Sequence, residues 1–195
     1  SPVSSPNGKS ILFLSQATPG FESDRWRIMR YNTSNGEIVE LTQGFDQQAS
    51  NITLSPDGKT IYFTANFNGH NPIFSVPVEP DFRLRIATHV KPVVDNVYAG
   101  NLGLSDNGRQ IVFTSSSNAQ PAEIFSATTD KGDVRQLTHV NDAAMAAFKL
   151  RSAEDFEWMG AIKKAHGFLL KPANFDSSKR YPLIVLIHGG PQGAW

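Results

Sequence analysis

Apolar and polar residues alternate in short runs through the first 140 positions, and each run ends at a turn signal. Ile52 and Leu54 share one face of the stretch 51–54. Pro56-Asp57-Gly58-Lys59 follows, and Thr60 to Thr64 then alternates again, with Ile61 and Phe63 on the inner face and Tyr62 on the other. A period of two predicts half-buried strands. The tetrad between them predicts a tight turn, because glycine tolerates positive φ and an aspartate side chain bonds its own backbone. Third and fourth strands are predicted over 73–76 and 83–87, giving four strands for this unit.

The unit recurs. "SPNGKSILFLS" from Ser5, "SPDGKTIYFTA" from Ser55 and "SDNGRQIVFTS" from Ser105 align without gaps, at a spacing of 50 residues. A second feature follows each at a similar phase: Leu41-Thr42, Ala87-Thr88 and Leu137-Thr138. Outer hairpins are legible as "WRIMRY", Asn35-Gly36, "EIVELT" in the first unit, and as "AEIFSA", Lys131-Gly132, "DVRQLT" in the third. Four short antiparallel strands at this period predict the blades of a β-propeller. A sandwich with repeated Asp-Gly hairpins is the alternative, and three gapless matches weigh against it. Closed propellers have about four to eight blades, so three units predict an incomplete propeller with further blades upstream.

After Thr138 the repeat does not restart. The stretch 143–148 reads as a short helical or irregular crossing, 156–159 and 166–171 read as two short strands, and "NFDSSKR" reads as a polar loop. Leu183 to Ile187 is an unbroken apolar run, which predicts a strand buried on both faces, as in an α/β sheet. The change from alternating to continuous hydrophobicity predicts a domain boundary near residue 150: a partial propeller over 1–150, and the first strands of a second domain over 151–195.

Composition narrows the partners. Eighteen basic residues balance eighteen acidic ones, which gives no electrostatic footprint for nucleic acid or an anionic membrane. The longest apolar stretch is far too short to span a bilayer. With no cysteine, disulfides and Cys-based metal sites are excluded and the redox compartment is unreadable. Two glycosylation sequons, at Asn32 and Asn51, are no more than chance supplies in a chain this rich in Asn, Ser and Thr.

The candidate chemistry lies at the end, in "YPLIVLIHGGPQGAW". Two glycines after a buried strand let the backbone turn sharply and approach a ligand. Their N–H groups then suit a developing negative charge, as acyl transfer requires, where each lost donor costs about 3 kcal/mol. A plain tight turn leaving a strand is the alternative. A propeller-type repeat followed by "EDFEWMG", "GFLLKP" and "YPLIVLIHGGPQGAW" resembles the prolyl oligopeptidase family of serine peptidases, on its dipeptidyl-peptidase V and acylaminoacyl-peptidase side. The resemblance implies a propeller capping an α/β-hydrolase domain, a Ser-Asp-His triad, short peptides as substrates, and no metal or cofactor. It implies that His188, Gly189, Gly190 and Pro191 form the oxyanion-side loop, with backbone donation near Gly189–Gly190 and His188 orienting the loop. The dipeptidyl-peptidase IV branch has Tyr-Ala-Gly-Pro here with the tyrosine hydroxyl as donor, and this chain lacks that tyrosine. No Gly-x-Ser-x-Gly elbow occurs among the 195 residues, so the expectation is a piece of the enzyme, inactive and poorly folded by itself, with the triad beyond Trp195. A secreted or periplasmic setting is expected, with a cytoplasmic one as the alternative; oligomeric state is left open.

Other residues carry weaker signals. His70, His89, His139 and His166 lack ligand spacing and read as structural or solvated, with His166 beginning a strand. Asp46, Asp57, Asp106, Asp130 and Asp142 read mostly as turn residues. Another branch of the family holds the substrate's amino terminus with propeller acids; Glu123 and Asp95 are the candidates, with surface charge as the plainer reading. Glu154, Asp155 and Glu157, interleaved with Phe156 and Trp158, read as a strand with one solvated face. Trp26, Trp158 and Tyr98 read as packing residues. A non-catalytic TolB-like propeller that binds a partner is the alternative function, and an esterase of the His-Gly-Gly-Gly type is a third.

Overall fold

The computed structural model describes residues 2–81 and 89–189. Three four-stranded antiparallel sheets are built in chain order, each strand pairing with the next. The first holds β1 (Val3–Ser4), β2 (Ser10–Ser15), β3 (Arg27–Asn32) and β4 (Ile38–Glu40). The second holds β5 (Ala49–Leu54), β6 (Thr60–Ala65), β7 (Ile73–Pro77) and β8 (Lys91–Val94), and the third holds β9 (Ala99–Leu104), β10 (Gln110–Ser117), β11 (Gln120–Thr128) and β12 (Val134–Gln136). These are propeller blades, with β1, β5 and β9 at one edge of their sheets.

The repeated sequence builds one turn three times. Ser5, Ser55 and Ser105 each donate a hydroxyl to the side-chain oxygen two residues on, at 2.8, 2.6 and 2.8 Å. The same hydroxyls accept the N–H groups of Ser10, Thr60 and Gln110. The N–H groups of Gly8, Gly58 and Gly108 return to the serine carbonyls at 2.8–2.9 Å, with φ of 68°, 71° and 66°. Only glycine occupies that region without strain. The prolines of one turn lie against the glycine of the next blade, Pro6 on Gly58 and Pro56 on Gly108.

The blades stack face to face, so the core is two layers. Leu12, Ile28 and Leu41 of the first blade meet Ile61, Phe63, Phe74 and Val76 of the second. Tyr62, Ile73 and Val94 on the reverse face of the second meet Ile111, Phe113 and Ala127 of the third. Ile61 and Phe63 do share one face of β6 and Tyr62 the other, but both faces are buried because the middle blade is sandwiched.

The fourth strand of the second blade is not where the sequence suggests. Residues 83–87 lie outside the described residues, and the strand that pairs with β7 is Lys91–Val94. Val94 opposes Ile73 as Leu41 and Leu137 bond Ile28 and Ile124, so Val94-Asp95 holds the position of Leu41-Thr42; Ala87-Thr88 lies outside the described residues. The connection before β8 covers 78–90, against 33–37 and 129–133 in the other blades, while the link to the next blade shrinks to 95–98 from 41–48. The insertion is offset by that shorter link together with a shorter connection between the second and third strands of the blade, 66–72 against 16–26 in the first blade, so the spacing of 50 hides all three.

Beyond the blades, α1 (Asp142–Met145) is a single turn, and β13 (Glu154–Met159) pairs with β14 (Lys164–Leu169) in an isolated hairpin. His166 sits inside β14 opposite Glu157, not at its start. The sequence predicts one solvated face for β13, and all six of its residues are exposed. Asp155 and Phe168 face the β6–β7 loop, with the Phe168 ring 5.6 Å from that of His70. Phe156 and Trp158 stack on each other and stay 51% and 46% exposed; Trp26 and Tyr98 are exposed too, so these aromatics are not core residues. Leu183 to Ile187 is neither a strand nor buried: its residues are 69–83% exposed. Strand backbone needs a partner for its N–H and C=O groups, and no sheet among the described residues offers one there. No helix among the described residues is long and apolar enough to cross a membrane.

Candidate functional site

The approach to His188 is anchored at its start. Asp176 accepts hydrogen bonds from the hydroxyl and N–H of Ser178, which hold its carboxyl below the ordinary range. The Asp176 N–H donates to the Tyr181 hydroxyl at 2.9 Å, and Phe175 stacks on the Tyr181 ring. From there the chain runs exposed to His188, whose Nδ1 lies 3.3 Å from the carbonyl oxygen of its neighbour Gly189. Among the described residues nothing lies within 4 Å of the point where Gly189 would carry a Cβ. Gly190 and Pro191 lie outside the described residues. The described residues bring no hydroxyl nucleophile or carboxylate to His188.

Glu123 proves to be a bracket rather than a free acid. It is 3% exposed, and its carboxylate takes the Thr138 hydroxyl, the Asn141 N–H at 2.8 Å and the Asn141 side-chain amide at 2.9 Å. The Thr138 hydroxyl first, then the Asn141 N–H, pull its pKa down from 4.5 to about 2. Donors already fill this carboxylate, so it has no capacity left for a substrate ammonium. Asp95 is exposed and makes no side-chain hydrogen bond among the described residues.

The histidines divide. His89 Nε2 lies 3.1 Å from the Asp81 carbonyl oxygen, and His139 Nδ1 lies 3.0 Å from Asp142. His166 and His70 converge on Asp155, at 2.9 and 3.8 Å, and so tie the hairpin to the second blade. No group of three ligating side chains among the described residues is placed to hold a metal.

Sequence reasoning missed an uncharged, asparagine-lined cleft of about 370 Å³ where the second and third blades meet. Asn51 and Asn71 come from the second blade, and Tyr98, Asn101 and Thr114 from the third. Asn51 and Asn101 adopt φ of 47° and 50° at irregularities in the β5–β6 and β9–β10 registers. Asparagine is among the few residues that visit this region readily. Each donates its amide to the threonine across the ladder, Thr64 at 3.0 Å and Thr114 at 3.2 Å. The signal was available: carrying the gapless alignment four residues upstream of Ser55 and Ser105 pairs these asparagines.

No family model matches the chain. Dipeptidyl-peptidase 5 of Trichophyton equinum is 30% identical over 201 residues, covering 100% of this chain and 27% of that protein. The chain thus spans about a quarter of the length of the curated relatives it matches. An acylaminoacyl peptidase solved in complex with Z-Gly-Gly-Phe-chloromethyl ketone superposes on 96% of this chain, using 27% of its own, with 20% identity and a TM-score of 0.75. The β-propeller domain of the Trilobed protease from Pyrococcus furiosus covers 69% of this chain and 36% of its own, with 18% identity and a TM-score of 0.52. The two structures support the fold, and the sequence match runs from the first blade through the His188 segment. By that match and that fold, the chain belongs to the prolyl oligopeptidase family of peptidases, on its dipeptidyl-peptidase 5 side.

Proposed function

We propose that this chain is part of a serine peptidase that hydrolyses short peptides, and that residues from about 151 onward open its α/β-hydrolase domain. The observation that carries the reading is the match to dipeptidyl-peptidase 5 over the whole chain, tail included. The part of that relative which this chain does not span would supply the Ser-Asp-His triad. Leu183 to Ile187 then becomes a strand once neighbouring strands pair with it. His188 to Pro191 forms the wall beside the reacting carbonyl.

In this mechanism the serine, activated by histidine, attacks the scissile carbonyl. Backbone N–H groups at Gly189 and Gly190 donate to the oxyanion that forms, and His188 sets the course of the loop. Such donors act on charge present only in the transition state, so their loss lowers kcat more than it raises KM. The propeller admits substrates thin enough to reach the enclosed site. A TolB-like binding module explains the blades but not a peptidase match that continues through the tail.

The test is hydrolysis of dipeptidyl and N-acyl-aminoacyl coumarin amides by the full-length protein, with and without a serine-directed phosphonate. Phosphonate-sensitive cleavage is expected. Absence of cleavage of both substrate classes by a folded full-length protein contradicts the reading.

A further inference from the structure

From the cleft at the second and third blades we infer a binding site for uncharged peptide groups, in which Asn51, Asn71 and Asn101 accept hydrogen bonds from substrate N–H groups. The inference rests on the peptidase reading for the source of the peptide, and on the cleft itself for its chemistry.

The lining is uncharged and carries amide and hydroxyl groups: among the described residues no Asp, Glu, Lys, Arg or His contributes to it. The amide nitrogens of the three asparagines are already committed, to Thr64, Thr114 and the Ala99 carbonyl at 3.0, 3.2 and 2.6 Å. Among the described residues no donor reaches their amide oxygens. An asparagine whose nitrogen is fixed presents its oxygen in a fixed direction, and an oxygen accepts from N–H or O–H only. A volume of about 370 Å³ falls within the ~300–1,000 Å³ of small-ligand sites. β5 and β9 are edge strands of their sheets, so their backbone also offers groups to an extended peptide.

The fold does not dictate this lining, because the same repeat position one blade earlier is lined differently. There a cleft of about 460 Å³ is bordered by Phe13, Leu14, Trp26, Gln48, Ala49 and Ser50. Trp26 corresponds to Asn71: each accepts, through its carbonyl, the N–H that opens the next blade's first strand, from Ala49 at 2.9 Å and from Ala99 at 3.1 Å. Gln48, Ala49 and Ser50 correspond to Tyr98, Ala99 and Gly100. One scaffold position thus carries an indole in the first cleft and an amide in the second. Both clefts lie at the end of the blades that carries the β6–β7 loop, where the β13–β14 hairpin docks through His70 and Phe168. That is the end from which the chain leads on to His188.

A neutral acceptor site suits an amide N–H over a free ammonium, whose desolvation calls for a carboxylate. With Glu123 saturated, the site favours internal or acylated peptide segments.

The test uses the full-length protein treated with a serine-directed phosphonate, titrated calorimetrically with N-acetyl-tetraalanine amide and with tetraalanine amide bearing a free amine. The acetylated peptide should bind more tightly. In the double variant Asn51→Gly, Asn101→Gly, which keeps the backbone free to adopt positive φ, its affinity should fall roughly tenfold, the worth of one to two hydrogen bonds. Asn101→Asp, close to isosteric, should leave the acetylated peptide within a fewfold and raise affinity for the free amine. Binding by the double glycine variant equal to wild type, at matched Tm, overturns the inference, as does absence of binding to wild type. Failure of the peptidase reading is separate: it shows as no turnover by untreated wild type, whereas the cleft is read by calorimetry alone.

Discussion

A single hydroxyl organises each turn between the first two strands of a blade. The Ser55 hydroxyl donates to Asp57 and accepts from the N–H groups of Thr60 at 2.9 Å and Lys59 at 3.2 Å, and it holds the Asp57 carboxyl below the ordinary carboxylate range. Ser55→Ala leaves the part-buried Thr60 N–H without its acceptor and should cost about 1 kcal/mol, measured by chemical denaturation of the full-length protein. Glu123 gives a pH signature. Its folded pKa of about 2 lies below the ordinary 4.5, so its contribution is complete above about pH 4.5 and disappears as the pH falls towards 2. Glu123→Gln should therefore lower Tm near neutrality, and the gap to wild type should close between pH 5 and 2. A gap that stays constant over that range contradicts the bracket role. Residues of this kind are legible in sequence only in part. Ser55-Pro56-Asp57-Gly58 announces its turn by composition, whereas Glu123 reads as a surface charge until the fold brings Thr138 and Asn141 to it.

At the scale of elements, glycines decide how blades and hairpin meet. Gly132, at φ 69°, turns the outer hairpin of the third blade against the backbone of the second, where a Cβ would run into the Val93 carbonyl oxygen. Backbone cannot step aside as a side-chain tip can. Gly132→Ala should cost more than about 2 kcal/mol, adding that clash to the left-handed penalty of ~1–2 kcal/mol, and a denaturation midpoint checks it. Gly69, at φ 73°, leaves room for the Phe168 ring, which lies 2.5 Å from its would-be Cβ. Phe168→Ala should release the β13–β14 hairpin and raise its cleavage rate by added protease roughly fivefold, as an aromatic contact of ~1 kcal/mol implies, with little change at the blades. Strand existence was written in the alternating pattern, but strand partnership was not. Trp158 reads as a packing residue in the sequence, yet it stacks on Phe156 at an exposed face of the hairpin. The fourth strand of the second blade lies at 91–94 because an insertion before it is offset by shorter connections elsewhere in the unit, at 66–72 and 95–98, which no count from Ser55 detects.

At the scale of the molecule, stacking makes the blades depend on one another. The middle blade is buried on both faces, whereas the outward face of the third leaves Val112 and Ile124 37% and 41% exposed. The relative matched over this chain is nearly four times longer, and in such a protein further blades suit that face. The run from Leu183 to Ile187 tells the same story in the tail. Its five apolar residues are legible as a buried strand, yet burial belongs to the sheet that receives it, and sequence pattern carries no information on whether that sheet is at hand. The oxyanion-side role proposed for His188 to Pro191 rests on resemblance, and the asparagine-lined cleft on the fold. The measurement that bears most directly on the account is steady-state hydrolysis of a peptidyl coumarin amide by the full-length protein and by its Gly190→Pro variant, which deletes one backbone N–H. The account predicts phosphonate-sensitive turnover in wild type and, in the variant, a kcat lower by roughly 10²–10³ with KM nearly unchanged. A variant as active as wild type would contradict a role for this loop in catalysis, and a folded wild type that cleaves no peptide would contradict the peptidase reading itself.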